Sequence, residues 1–338
     1  MVGKVWRLRI LIVICVLTAI CLGTNLGCVH NKDEKARRDA GVITELHVSY
    51  ASRPINVPSI VAIQKKFFEE RFAEQGISIV WHELAGTEIT EALASGAIDI
   101  ATSLNAPSAI IAKAAGHDIK IIAGFSRFPE AIALVAARGS SVKSVAELKG
   151  KRVAVTKGTM LHEMLVKVLK EEDLGPDDAE MFHMESPEAL TALLGGQIDA
   201  AVLPEPLLSK ALASDKGVQL KTAQGVISGQ TVMAAKGGFL EKHADVVKIF
   251  LEIHEACLEY IAAHEEEALL LSAAVVDMSV DQVRSLYPKF EFVIQLQEVD
   301  IQAMKESAIF LQGQGIIEGA ISADTLIEDL IDLSYWGF

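Results

Sequence analysis

Ala92-Leu93-Ala94-Ser95-Gly96-Ala97-Ile98-Asp99-Ile100-Ala101 returns one hundred residues later as Ala192-Leu193-Leu194-Gly195-Gly196-Gln197-Ile198-Asp199-Ala200-Ala201, with six of the ten positions identical. Each copy reads as the end of a helix, a glycine in the left-handed cap position, and then a buried strand. Repeat architectures recur many times at short periods, so two copies at this distance do not describe a solenoid. They predict two lobes built alike, each around its own sheet.

Strands are expected on either side of the first copy, at 46–50, 77–82, 98–103 and 119–124, with helices at 58–72, 88–95 and 107–115. The alternation continues with strands at 132–137, 152–156, 180–184 and 200–203 and helices at 145–148, 160–172, 187–194 and 206–214. Two further strands lie near 218–222 and 231–235, and everything after Gly238 reads as helical. Regular alternation of this kind means an α/β fold with largely parallel sheets and helices on both faces.

The composition agrees. The chain has 338 residues, 51% hydrophobic but only 6% aromatic, so its apolar mass is Ala, Val, Ile and Leu. That excludes intrinsic disorder and is enough for two domains with cores of their own. The formal net charge of −14 argues against a non-specific nucleic-acid binder, which needs a basic face to displace counterions.

One stretch is apolar enough to concern a membrane. Lys4, Arg7 and Arg9 precede a run from Ile10 to Leu22 broken only by Thr18. The run is shorter than the roughly 20 residues of a spanning helix, so residues 1–27 are expected to be a secretory signal peptide. Leu26-Gly27-Cys28 resembles the end of a bacterial lipobox, with Asn25 where that pattern prefers Leu. Cys28 is therefore expected to carry a lipid, and the polar segment 28–44 to tether the folded part to the membrane. Cys15 and Cys21 would leave with the leader, so Cys257 has no intrachain partner and reads as a small buried hydrophobe.

In open α/β sheets ligands lie beyond the carboxyl ends of the strands, where the following helices present their N-termini. Asn56, Thr87, Asn105, Thr159 and Ser186 occupy such loops and have N-cap chemistry, with Pro187 after the last. Each alone is an ordinary cap. Together they aim several helix N-termini from two lobes at one cleft, which favours an anionic or zwitterionic ligand.

Ser144-Val-Ala-Glu-Leu-Lys-Gly150-Lys-Arg-Val-Ala-Val-Thr-Lys157-Gly158-Thr159 resembles a stretch of bacterial ABC-transporter substrate-binding proteins. Gly96-Ala-Ile-Asp99 and Gly196-Gln-Ile-Asp199 match their repeated G-x-I/V-D elements, and Phe67-Phe68-Glu69 fits their G-F-F-E helix without its glycine. From about residue 45 onward the chain is similar to the nitrate/sulfonate/taurine class. The resemblance implies a two-lobed periplasmic binding protein-like fold of type II. Residues 45–130 and 228–338 would form lobe one and residues 131–227 lobe two, with the ligand cleft between them. It further implies a monomeric importer component without cofactor or metal, docking onto permease subunits and their ATPase. Carried over residue by residue, the ligand contacts would be Asn56, Thr87, Asn105 and Ser126 from lobe one and Lys157, Thr159 and Glu205 from lobe two. Arg53 and Arg127 are alternative partners for an anion. An inward-facing Glu205 would favour an amine-bearing or hydrogen-bond-donating solute.

Two other classes share this fold. Some enzymes of cofactor biosynthesis, in pyrimidine-precursor and menaquinone pathways, are two-lobed in the same way. No His-Glu-x-x-His, paired-Cys, Gly-x-Ser-x-Gly or Gly-Lys-Ser/Thr motif is present, His162 reads as a core or surface residue, and the leader points to export. An exported sensor for a separate membrane receptor is the remaining alternative.

Overall fold

The computed structural model describes residues 43–52, 56–84 and 86–336. The leader, Cys28, most of the tether and Arg53 lie outside the described residues. In chain order the first run is β1 (Glu45–Tyr50), α1 (Val57–Gln64), α2 (Phe67–Ala73), β2 (Ser78–Glu83), α3 (Thr87–Ser95), β3 (Ile100–Asn105), α4 (Ala106–Ala114) and β4 (Ile119–Arg127). The second is β5 (Ile132–Ala137), β6 (Arg152–Val155), α5 (Met160–Glu171), β7 (Glu180–His183), α6 (Ser186–Leu194), β8 (Ala200–Pro204), α7 (Leu207–Ala213) and β9 (Gly217–Thr222). The chain then adds β10 (Gln230–Lys236), α8 (Gly237–Lys242), α9 (Ala244–Ala263), α10 (Glu265–Val276), α11 (Val280–Leu286), β11 (Glu291–Phe292), α12 (Glu298–Gly313) and α13 (Ala323–Leu330).

These elements form two sheets, of order β11-β4-β10-β3-β1-β2 and β7-β6-β8-β5-β9. In the first, β1 to β4 run one way while β10 lies antiparallel between β3 and β4, and β11 runs antiparallel to β4 at the edge. In the second, β5 alone opposes the others. The sheets are largely parallel, as expected, with four of six and four of five strands running one way, and each holds an opposed strand inside it. The reason lies in the connections. A parallel neighbour needs a crossover of a dozen or more residues, usually a helix. Only the short 3-10 turn Pro129–Ala131 separates β4 from β5, and no helix separates β9 from β10. At both places the chain passes from one sheet to the other and enters as an opposed strand.

The two quoted copies fold alike. Gly96 and Gly196 both have positive φ, +75° and +66°. The Gly96 and Gly196 N–H groups donate to Leu93 and Leu193, and the next N–H groups, of Ala97 and Gln197, to Ala92 and Ala192. The aspartate that follows is a clamp on the neighbouring strand. Asp99 N–H donates to His47 O at 2.8 Å while its carboxylate accepts His47 N–H at 2.9 Å. Asp199 does the same with Arg152, at 2.9 Å for both bonds.

Each sheet is covered on both faces. On one face of the first, Phe68, Phe72, Phe250 and Leu251 from α2 and α9 pack with Leu46, Val48 and Ile122. On the other, Ile110, Met304, Leu311 and Ile327 from α4, α12 and α13 pack with Leu104 and Ile121. The second sheet packs against Met164, Leu165 and Leu169 of α5 on one face and Leu190, Leu193 and Leu208 of α6 and α7 on the other. Each such side chain contributes about 1.5–3 kcal/mol when fully buried.

Three expectations change in detail. The helix at 58–72 is two helices, broken where Lys66 takes φ +59°. That turn swings Phe68 onto Phe250 and Trp81, with ring centroids 4.5 and 5.5 Å away. The segment after Gly238 is not wholly helical, because β11 pairs with β4 through Glu291 and Phe292. Ser186 is the first residue of α6 rather than its cap, a position held by Glu185. Cys257 is fully buried, as expected, and burial pushes its thiol up to about 12. Among the described residues no helix is long and apolar enough to cross a membrane, and no group of three or more His, Cys, Asp or Glu could hold a metal ion.

Candidate functional site

A cavity of about 300 Å³ opens between elements of the two sheets. The first sheet supplies the start of α4, Arg127 at the end of β4, Gln230 at the start of β10, and one face of α12. The second supplies Met160, Glu163 and Lys167 from α5. The connection from β9 to β10, residues 225–229, closes one side.

Both cations of the wall are paired with carboxylates, which outnumber them by one. Arg127 donates from Nε and Nη2 to the two oxygens of Asp300, both at 2.6 Å, and Nη1 lies 3.0 Å from Glu291. The Asp300 hydrogen bonds outweigh the effect of burial and drive the pKa of Arg127 further up, so its charge is permanent. Asp300 also accepts the Gln297 N–H at 2.7 Å and so ties the first turn of α12 to the same pair. On the opposite wall Glu163 is buried and meets Lys167 at 2.9 Å and the Ser307 hydroxyl at 2.6 Å. Lys167 reaches Glu306 at 3.1 Å. Burial alone would lower the pKa of Lys167, but Glu163 and Glu306 prevail and raise it.

Two groups at or beside the wall are different. Gln230 is 4% exposed, and its Oε1 and Nε2 are both buried without a hydrogen-bond partner among the described residues. Asn105, directly before the wall residues Ala106 and Pro107, has a buried Oδ1 in the same condition.

The seven expected contact residues border this cavity or stand away from it, and none is in its wall. Asn105, Ser126 and Thr159 each immediately precede a wall residue. Thr159 caps α5 as expected, accepting the Leu161 N–H at 3.2 Å and donating to Thr156 O at 2.7 Å. Asn105 and Asn56 hold cap positions but make no cap bond. The Asn56 amide turns back to donate to Ala51 O at 2.6 Å. Thr87 is exposed and begins α3, with Gly86 at the cap. Ser126 is buried and shares a 2.7 Å hydrogen bond with Thr231. Lys157 is exposed, and its backbone N–H donates to His183.

Glu205 is 2% exposed, but its carboxylate is already bound by Lys289 Nζ and by the Ser209 N–H. It joins β8 of the second sheet to the segment before β11 of the first. His162 is buried against Phe310 of α12, and burial, aided by Lys157, lowers its pKa. The neutral ring can accept the Gly158 N–H at 3.4 Å.

Gln230, Ser307 and Asp300 were not singled out from the sequence. The Glu163–Lys167 pair did carry a signal, an acid four residues before a base on one helix. Gln230 carried none, since a glutamine at a strand start looks like any surface residue.

Solved structures share this architecture. The periplasmic aliphatic sulphonate binding protein SsuA from Escherichia coli superposes with a TM-score of 0.76 over 86% of this chain and 92% of that one, at 23% identity. The fold is thus that of the periplasmic binding proteins. The chain belongs to the family described as NMT1/THI5 like, whose model matches residues 54–268. Among curated relatives, a Bacillus subtilis (strain 168) protein named for binding aliphatic sulfonates is 28% identical over 288 residues, 82% of this chain and 83% of its own. The taurine-binding periplasmic protein of Escherichia coli (strain K12) is 30% identical over 181 residues, 52% of this chain and 55% of its own.

Proposed function

We propose that this protein is the solute-binding component of an ABC importer, not an enzyme. It captures a small organic anion or zwitterion between its two sheets and delivers it to a membrane permease. The observation that carries this reading is the cavity between two separately cored sheets joined by two strand crossings. Such an architecture closes by hinging, and closure excludes water so that a few polar contacts discriminate sharply. The binding proteins among its relatives support the reading.

In this reading Asn105 and Ser126 from lobe one and Thr159 from lobe two border the solute, each one residue before the cavity wall, while Asn56, Thr87 and Lys157 line the wider cleft that closes around it. Glu205 acts through Lys289, holding the lobe edges together. The protein works outside the cytoplasm as a monomer, tethered through a lipid on Cys28.

A thermal-shift screen against small sulfonates, amino acids and amides tests the function. A solute at a hundred times its Kd adds about 2.7 kcal/mol to apparent stability. Turnover of the bound compound by the purified protein would refute the non-enzyme reading. Intact mass of the membrane fraction tests the anchor, and an unmodified Cys28 in the mature protein would remove it.

A further inference from the structure

We propose that the contact between α5 and α12 is an acid-sensitive latch between the two lobes, with His162 as its sensor. The latch holds while the ring is neutral and gives way when the ring takes a proton. This rests on the solute-binding reading above and adds a control of the hinge to it.

α5 belongs to the core of the second sheet and α12 to that of the first. The chain passes between the sheets at residues 128–131 and 223–229, and neither helix is part of either crossing. A rotation of the lobes about those crossings must therefore part α5 from α12 or slide one along the other. Three residues of α5 make the contact. His162 packs edge-on with Phe310, with ring centroids 5.2 Å apart. Glu163 accepts the Ser307 hydroxyl at 2.6 Å, and Lys167 reaches Glu306 at 3.1 Å.

His162 is the one of the three without a polar partner on α12. It is 5% exposed, so an imidazolium there would lose most of its water. Phe310 offers its ring no acceptor. Nδ1 lies 3.4 Å from the Gly158 nitrogen, a donor, so a proton on Nδ1 would set two donors against each other. His162 also sits in the first turn of α5, where the helix dipole is positive. Burial first, then the charge of Lys157, lower its pKa from 6.5.

The other charged groups about the contact are Glu163 and Lys167 on its own helix, 2.9 Å apart, and Glu306 of α12. The 3-10 turns at 145–148 and 176–178 also pack on α5. They carry Glu147, bound to the Lys143 N–H, Asp177, and Asp178, paired with Lys149. β6 and β8 meet α5 through Val153, Val155 and Val202. No carboxylate among the described residues offsets Lys157 at the ring.

Once the contact parts, the ring regains water and its ordinary 6.5. Closed lobes thus bind the proton less well than parted ones. The advantage of the closed state is complete above pH 6.5 and declines as pH falls below it. Parted lobes release what they enclose, so the same proton weakens solute binding in acid.

Single-molecule energy transfer in the ligand-free protein tests the latch, with dyes on azido side chains in place of Glu91 of α3 and Glu188 of α6, both exposed. The ratio of parted to closed molecules should rise about three- to tenfold from pH 7.5 to pH 5.5. Tenfold is the ceiling for one proton whose site titrates at 6.5 in the parted state and lower in the closed one. His162→Gln offers the Gly158 N–H an acceptor but takes no proton, and should abolish the rise. Nuclear resonances of the His162 ring in the unsubstituted protein should titrate with a midpoint below 6.5, a readout that needs no variant.

A ratio constant to within about twofold, an equal rise in His162→Gln, or a midpoint at or above 6.5 would each overturn the latch while leaving solute binding intact. The solute screen is run at pH 7.5, where the latch is closed, so its failure falls on the solute-binding reading alone.

Discussion

Ser307 on α12 donates a 2.6 Å hydrogen bond to Glu163 on α5, joining a helix packed on the first sheet to one packed on the second. The Glu163 side chain is only 3% exposed, so it cannot replace this donor freely with water. Ser307→Ala should cost about 1–3 kcal/mol in urea unfolding, the range for a buried acceptor that loses a partner. In a double-mutant cycle with Glu163→Gln the losses should fall short of additive. Strict additivity would show that the contact contributes nothing.

Arg127 and Asp300 form a second tie, and the Asp300 side chain is 1% exposed. Arg127→Met leaves that carboxylate buried and unpaired, at a cost of about 3–5 kcal/mol. Adding Asp300→Leu should recover much of the loss, because no buried charge then remains. Arg127→Lys should behave more like Met than like Arg, since an ammonium cannot supply the two-pronged fork. Chemical denaturation of the three variants ranks them directly.

His254 is buried against Phe125, and burial lowers its pKa from 6.5 to about 3. The folded state therefore keeps it neutral where the unfolded chain binds a proton. Stability contributed by this group is complete above pH 6.5 and declines as pH falls towards 3, with a slope approaching 1.4 kcal/mol per pH unit. His254→Leu should flatten the stability profile in that window. An unchanged slope in melts at a series of pH values would refute this.

Gly124 lies in β4, where its N–H donates to Ile294 O at 2.8 Å. A Cβ there would stand 2.9 Å from the Val293 carbonyl oxygen, a backbone atom that cannot swing aside. Gly124→Ala should lower stability by about 1–3 kcal/mol and loosen the edge strand β11. Hydrogen exchange at the Gly124 and Val293 amides would report that loosening.

What the sequence disclosed was local. Gly96 and Gly196, with Asp99 and Asp199 after them, were legible because cap, strand and clamp lie within a few residues. Thr159 was legible as a cap for the same reason. Asn56 holds the cap position as read, but its side chain donates to Ala51 O instead of accepting a helix N–H. The opposed strands β5 and β10 could not be told from parallel ones, since direction is set by where the chain comes from. Gln230 was invisible because its burial needs β3, β4, the crossing segment and α12 together, residues more than a hundred positions apart.

The placing of β10 has a consequence for the chain as it is made. β3 and β4 are not neighbours in the finished sheet, because residues 230–236 lie between them. A nascent chain shorter than that holds two strand edges with nothing to bridge them, however complete its second sheet is. Contacts of such long sequence separation form late and slowly. The first sheet to be translated is thus the last to close, so a chain cut after β9 would have one finished sheet and one that stays open.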